Sequence, residues 1–324
     1  MKKIWIGLIL IMVGLLAGCA AKATEKPKTI NIGIQQSLSP FWIAKDQGLF
    51  EEAFEKEGIK IKWTEFQSGP PQFEGLAANK LDFSQVGNTP VVAGQAAGVK
   101  FKEIALAGDG LKGNGILVQK GSKIKTIKDL KGKKIAVAKG SSGFGFLYKI
   151  LEHASISPED VEIIQLQPDE ALPAFESGKV DAWSIWEPFL SLETLQNDAV
   201  ILANGETINT VSPAFTLVRT GFSEAHPEYV EKFLKVYDKA VRYQIENEEE
   251  AIDIYAKLRG LDKKVIKNVL DNTKPLNEPI EQSIIEAQQE TADVQYRLKA
   301  IDKKIDVSEV VDNQYIEKIV KEEK

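Results

Sequence analysis

The chain predicts an α/β fold, and three observations carry that prediction. Between Ile30 and Arg219, short apolar runs of strand length alternate with segments rich in helix formers. Small or hydroxyl residues, often followed by proline, end these runs and open the next segment, which is how strand-to-helix turns are written. From His226 onward the pattern changes: Val230, Phe233, Leu234, Tyr237, Ala240 and Val241 fall at helical spacing with Glu and Lys between them. The tail of the chain is therefore a set of amphipathic helices.

The chain opens with an address. Lys2 and Lys3 precede an apolar run from Ile4 to Leu16, which Leu16-Ala17-Gly18-Cys19 closes. A basic start, a short apolar core and small residues before the cut mark residues 1–18 as a secretory signal; the run falls short of the ~20 residues a membrane span requires. Its end resembles the lipobox of bacterial lipoproteins, which implies cleavage before Cys19 and lipidation of that residue. Cys19 is the only cysteine, so the chain forms no internal disulfide and builds no site on cysteine pairs. Residues 19–29, with Lys22, Lys26, Pro27 and Lys28, read as a solvated tether. What remains has the length of two lobes. A net charge of −6 gives no support to nucleic-acid binding, which usually shows a basic patch.

Ile30, Ile32 and Ile34 alternate with small or polar residues as a first strand, and Ser37-Leu38-Ser39-Pro40 opens a helical segment that ends near Gly58. A second strand at 59–66 leads through Ser68-Gly69-Pro70-Pro71 into a helix, and a third at 81–86 leads through Gly87-Asn88-Thr89-Pro90 into another. A fourth strand at 101–107 precedes a glycine-rich passage from Gly108 to Gly115. The pattern then repeats: strands at 116–118, 135–138, 161–166 and 180–185, a helical turn at 124–130, and helices from about 142 and 168. Residues 199–202 are short and apolar, 215–219 read as a strand that returns elsewhere, and 281–300 and 307–324 are amphipathic.

The stretch from Lys131 to Leu151 organises the rest. Ile135, Ala136, Val137 and Ala138 form a strand, Lys139 to Gly143 break it, and Phe146, Leu147, Ile150 and Leu151 resume at helical spacing. The turn is the mouth of a helix, where unpaired N–H groups and the peptide dipole favour an anion. Gly140 and Gly143 let a ligand approach the backbone; Ser141 and Ser142 either cap the helix or turn outward to donate to a guest. Ser39-Pro40, Ser68-Gly69-Pro70 and Thr89-Pro90 share a related recipe, with proline expected at the first helical position, where it costs no backbone bond. In an α/β sheet such turns sit at the carboxyl ends of strands, where ligands bind, so two half-sites are expected to face each other across a cleft.

Ser68-Gly69-Pro70-Pro71, the passage from Leu81-Asp82-Phe83 to Thr89-Pro90, residues 129–137, the Gly140-Ser141-Ser142 turn, and Val180-Asp181-Ala182-Trp183-Ser184-Ile185-Trp186-Glu187-Pro188-Phe189 together resemble the aliphatic-sulfonate-binding proteins of ABC importers. The wider family is similar to nitrate, taurine and thiamine-pyrimidine receptors. The resemblance implies a two-lobed clamshell of the type II periplasmic-binding-protein kind, with two chain crossings near 113–115 and 210–212. Residues 30–113 with 213–324 would form lobe I, and 114–212 lobe II. It further implies an extracytoplasmic receptor on the cell membrane, a monomer held by its lipid, which hands an alkanesulfonate to a cognate ABC permease and its ATPase. Receptors for taurine, nitrate or a pyrimidine are the alternatives. Gly143, Phe144 and Gly145 depart from the family pattern after the serines, and Glu187 stands where an Asp is usual.

A hydrolase or transferase would need a catalytic set that the chain lacks. His153 and His226, both expected on exposed helical surface, are the only histidines, and neither has metal-ligand spacing. The glycines at 140–145 are in the wrong order for a dinucleotide loop. All four arginines, Arg219, Arg242, Arg259 and Arg297, come late, so the cleft is expected to rely on backbone and hydroxyl donors, which suit a sulfonate with its three acceptor oxygens and no proton. Trp183 and Trp186 are three apart and so point to opposite faces of a strand. Trp186 is assigned to the cleft as an apolar wall, while Glu187 either caps the next helix or receives an ammonium. The expected ligand-binding set is Gln35, Ser39, Ser68, Gly69, Asn88, Thr89, Gly140, Ser141, Ser142, Trp186 and Glu187, with no catalytic residue, metal or cofactor.

Overall fold

The computed structural model describes residues 25–322. The signal, Cys19 and the first part of the tether lie outside the described residues. The expected α/β fold is present, built on two five-stranded mixed sheets that define two lobes. The first sheet has the order β2-β1-β3-β10-β4, with β1 at Thr29–Gln35, β2 at Lys60–Phe66, β3 at Phe83–Gly87, β4 at Phe101–Gly108 and β10 at Ala214–Arg219. The second has the order β7-β6-β8-β5-β9, with β5 at Asn114–Val118, β6 at Lys134–Val137, β7 at Glu162–Gln165, β8 at Ala182–Trp186 and β9 at Val200–Asn204.

The chain passes between the sheets twice, at 109–113 and at 209–213, and the first strand after each passage behaves in the same way. β5 inserts antiparallel between β8 and β9, and β10 inserts antiparallel between β3 and β4. The two passages touch. A Cβ placed on Gly110, whose φ is +66°, would lie 2.0 Å from the Ser212 carbonyl oxygen, and one on Gly205 would lie 2.2 Å from that of Leu111. Only glycine permits this backbone contact.

Each sheet is covered on both faces, as its apolar strands require. On the first, α1 (Pro40–Asp46), α2 (Leu49–Glu55) and α9 (Pro227–Glu246) bury an aromatic group in which Phe83 stacks on Phe233 at 3.8 Å. The apolar stripe of α9 is the one its spacing predicts, with Val230, Phe233, Leu234, Tyr237, Ala240 and Val241 all buried. The opposite face carries α3 (Pro70–Ala77) and α4 (Asn88–Ala96), with Phe73, Leu76 and Val91 packed on Phe101 and Phe215. In the second lobe α5 (Ser142–His153) packs on one face through Phe146, Leu147, Ile150 and Leu151. On the other face, α6 (Pro168–Glu176) and α7 (Phe189–Gln196) enclose Trp183, which meets Phe175 and Phe189 at 5.9 and 5.4 Å.

The structure corrects two local expectations. Pro40 and Pro70 open their helices, but α4 begins at Asn88, so Pro90 is its third residue; the first turn of a helix leaves that N–H unbonded too. His226 is buried at 9% exposure, not surface-lying, because its ring packs between Phe222 and Tyr229.

Candidate ligand-binding cleft

A cleft of about 920 Å³, open solvent included, lies between the lobes where the carboxyl ends of several strands meet. Lobe I supplies the loop from Gln35 to Pro40 and the end of β3 at Gln85 to Gly87; lobe II supplies Asn114, Ser142, Trp186 and Glu187. The Gln35 loop is fixed from behind, since the Trp42 indole N–H donates to the carbonyls of Gln35 (3.0 Å) and Ser37 (3.2 Å). Gln35 Nε2 donates to the Gln85 carbonyl at 2.7 Å, and Gln85 Nε2 donates to the Tyr237 hydroxyl at 2.7 Å. Burial raises the Tyr237 pKa, so this hydroxyl stays protonated. Gln244, also in the wall, accepts from the buried Tyr255 hydroxyl at 2.6 Å. The polar groups facing the cleft are thus held by buried ones behind them, which limits the rotamer freedom lost when a guest binds.

Of the residues singled out from the sequence, Gln35, Ser39, Ser142, Trp186 and Glu187 line the cleft. Ser39 precedes α1 without capping it, so its hydroxyl is not committed to the helix. The two serines at the mouth of α5 divide the work. Ser141 is the cap, accepting from Phe144 N at 3.2 Å and buried at 1%, whereas Ser142 is the first helical residue and is partly exposed to the cleft. Trp186 lies 7% exposed in the wall, opposite Asn114 in the β5–β8 register, while Trp183 is fully buried.

The other six lie away from the cleft lining, in the contact between lobes or behind it. Ser68 donates to Gln167 of the second lobe at 3.0 Å, and a Cβ on Gly69 would strike the Pro90 ring at 2.5 Å. Asn88 Nδ2 donates to Thr291 at 3.0 Å. Thr89 packs against Gly145 so closely that a Cβ there would lie 1.9 Å from its hydroxyl. Gly140 turns at φ +72° near Pro70. The departure at Gly145 therefore has a physical role: it lets α4 and α5 meet across the lobes.

The lining titratable groups are Glu187 and Lys274, and sequence reasoning missed the lysine. It is exposed and sits in the irregular segment just after the helix at Lys263–Asn272. Asn114, Gln85, Gln244 and Ser212 were missed as well. Asn114 is 4% exposed and its Oδ1 has no protein partner, which leaves a buried acceptor in the cleft wall. Glu187 is 4% exposed; burial pushes its pKa up, opposed by hydrogen bonds from Asn272 and Ser191. No cluster of metal-binding side chains occurs among the described residues. Hydroxyls, amides, the start of a helix, one lysine and a tryptophan thus line the same cleft.

Residues 35–251 match the family model described as "NMT1/THI5 like". The chain belongs to this family. Within it, the chain is 64% identical over 328 residues to the "Putative aliphatic sulfonates-binding protein" of Bacillus subtilis (strain 168), covering 99% of this chain and 98% of that one. It is 32% identical to the Escherichia coli (strain K12) protein of the same name, over 92% of this chain and 93% of that one. Among solved structures, the alkanesulfonate-binding protein SsuA from Xanthomonas axonopodis pv. citri, bound to MOPS, superposes with a TM-score of 0.82 at 31% identity, covering 89% of this chain and 99% of that one. These relatives are solute-binding proteins, and the family resemblance read from the sequence holds.

Proposed function

We propose that this chain is the extracytoplasmic substrate-binding component of an ABC importer that captures aliphatic sulfonates between its lobes. The observation that carries the reading is the mouth of α5. Ser141 already caps the helix, so Ser142 and the neighbouring N–H groups remain for a guest on the cleft side. MOPS, named with the Xanthomonas relative, is itself an alkanesulfonate, and Lys274 adds a cation to the same cleft. Trp186 offers the alkyl tail an apolar face. Sheet membership supports lobes at 30–113 with 213–324 and at 114–212. The lipobox-like end at Cys19 supports a lipid anchor on the outer face of the cell membrane, and the receptor works as a monomer that docks on a permease.

Ser142→Asp tests the site. An acid in the first helical turn suits the dipole, so stability holds, but its charge opposes the guest's own. Affinity for methanesulfonate by titration calorimetry is expected to fall by more than a hundredfold, because like charges in a buried contact cost several kcal/mol. Unchanged affinity would move the anion elsewhere in the cleft.

A further inference from the structure

The helix at Lys263–Asn272, here α11 with α8 at Thr220–Ala225 and α10 at Glu248–Arg259, follows β10 in the chain but is tied to the other lobe. Two amides one turn apart on one face of it donate across the gap. Asn272 Nδ2 reaches Glu187 Oε1 at 2.9 Å, and Asn268 Nδ2 reaches the Ser191 hydroxyl at 2.8 Å. Glu187 and Ser191 are also four apart and are joined to each other: the Ser191 hydroxyl donates to Oε1 at 2.8 Å and its N–H to Oε2 at 3.0 Å. All four side chains thus belong to one network spanning the lobes. Val269 of α11 and Thr273, just past its end, form part of the cleft wall.

From this network we infer that Glu187 is a catch that holds α11 as a strap across the cleft, and that it does not receive a cationic end of the cargo. A carboxylate has about four acceptor positions. Three are filled by the protein and the residue is 4% exposed, so one acceptor position at most is left and an ammonium could not be enclosed by this carboxylate. The consequence for the guest is kinetic. A cargo behind Val269 and Thr273 leaves when the strap lets go, whatever its tail carries. Glu187, Asn268 and Asn272 are positioning residues in this scheme. The inference about cargo rests on the sulfonate-capture reading above; the catch itself does not.

Asn272→Ala removes one amide from a partly exposed position and leaves the cleft lining in place. In the ligand-free protein, hydrogen exchange followed by mass spectrometry is expected to rise together in 263–272 and 189–196 while the helix at Glu248–Arg259 is unaffected. In stopped-flow release, methanesulfonate and taurine are expected to leave faster by the same factor, about ten- to a hundredfold for one hydrogen bond to a charged group. A lowered melting temperature alone would not produce that common factor. Unchanged exchange, unchanged release, or a Glu187→Gln protein that loses taurine but keeps methanesulfonate would each overturn the inference. If the parent protein bound neither sulfonate, the capture reading would fall, and the exchange measurement would still decide whether the catch exists.

Discussion

Ser141 and Ser142 are adjacent and chemically identical, yet they serve different ends because a helix start has one capping position. The cap is filled by Ser141, so Ser141→Ala is expected to cost about 1 kcal/mol of stability in urea unfolding with little change in sulfonate affinity. Ser142→Ala is expected to do the reverse, leaving stability within about 0.5 kcal/mol and weakening methanesulfonate about ten- to a hundredfold by calorimetry. The sequence announced that a serine pair opens a helix. It did not say which member caps, since a shift of one residue in the helix start exchanges their roles. Trp183 and Trp186 were separable because strand period alone puts them on opposite faces. Ser68 and Asn88 were not separable from Ser39, because a polar residue at a strand end looks the same whether it faces a guest or a neighbouring helix. Lys274 left no signal, being one lysine among many.

Among the elements, β4 carries a buried carboxyl. Glu103 is fully buried beneath the helix at Gln282–Arg297; Gln288 donates to one of its oxygens at 2.6 Å and the other has no protein partner. Burial, only partly opposed by that hydrogen bond, pushes its pKa up to about 8. The folded value lies above the unfolded one, so Glu103's contribution to stability is complete below the usual glutamate range and is lost as pH rises through about 8. Urea midpoints taken from pH 5 to 9 should therefore decline in the parent protein, and Glu103→Gln should flatten that decline. A slope unchanged by the substitution would assign it to other groups. Most strands and helices were legible because apolar spacing is a local property. The slot of β10 was not: Gln85 and Thr216 pair across the sheet from positions 131 residues apart, and no periodicity records such a partner. The α11 strap was hidden for the same reason, its two asparagines having meaning only beside Glu187 and Ser191.

For the whole molecule, the signal and lipobox-like end read from the sequence bear on where the proposed receptor operates. No helix among the described residues is long and apolar enough to cross a membrane, and the anchor proposed above is a lipid on Cys19. Cys19→Ser is expected to abolish labelling by a radioactive fatty acid and to leave the protein uncleaved or released into the medium; a normally labelled variant would refute the anchor. How one lobe moves on the other is shaped by the two passages between them. They run side by side, with Gly110 pressed on Ser212, and Gly205, just ahead of the second passage, pressed on Leu111, so that neither glycine has room for a side chain. Two adjoining pivots define a line, as the pins of a door do, and two rigid bodies joined along a line have a single way to swing. On the reading proposed above, any guest that draws the lobes together moves them along one path. Chemical discrimination among guests then belongs to the cleft, and the direction of the swing carries none of it.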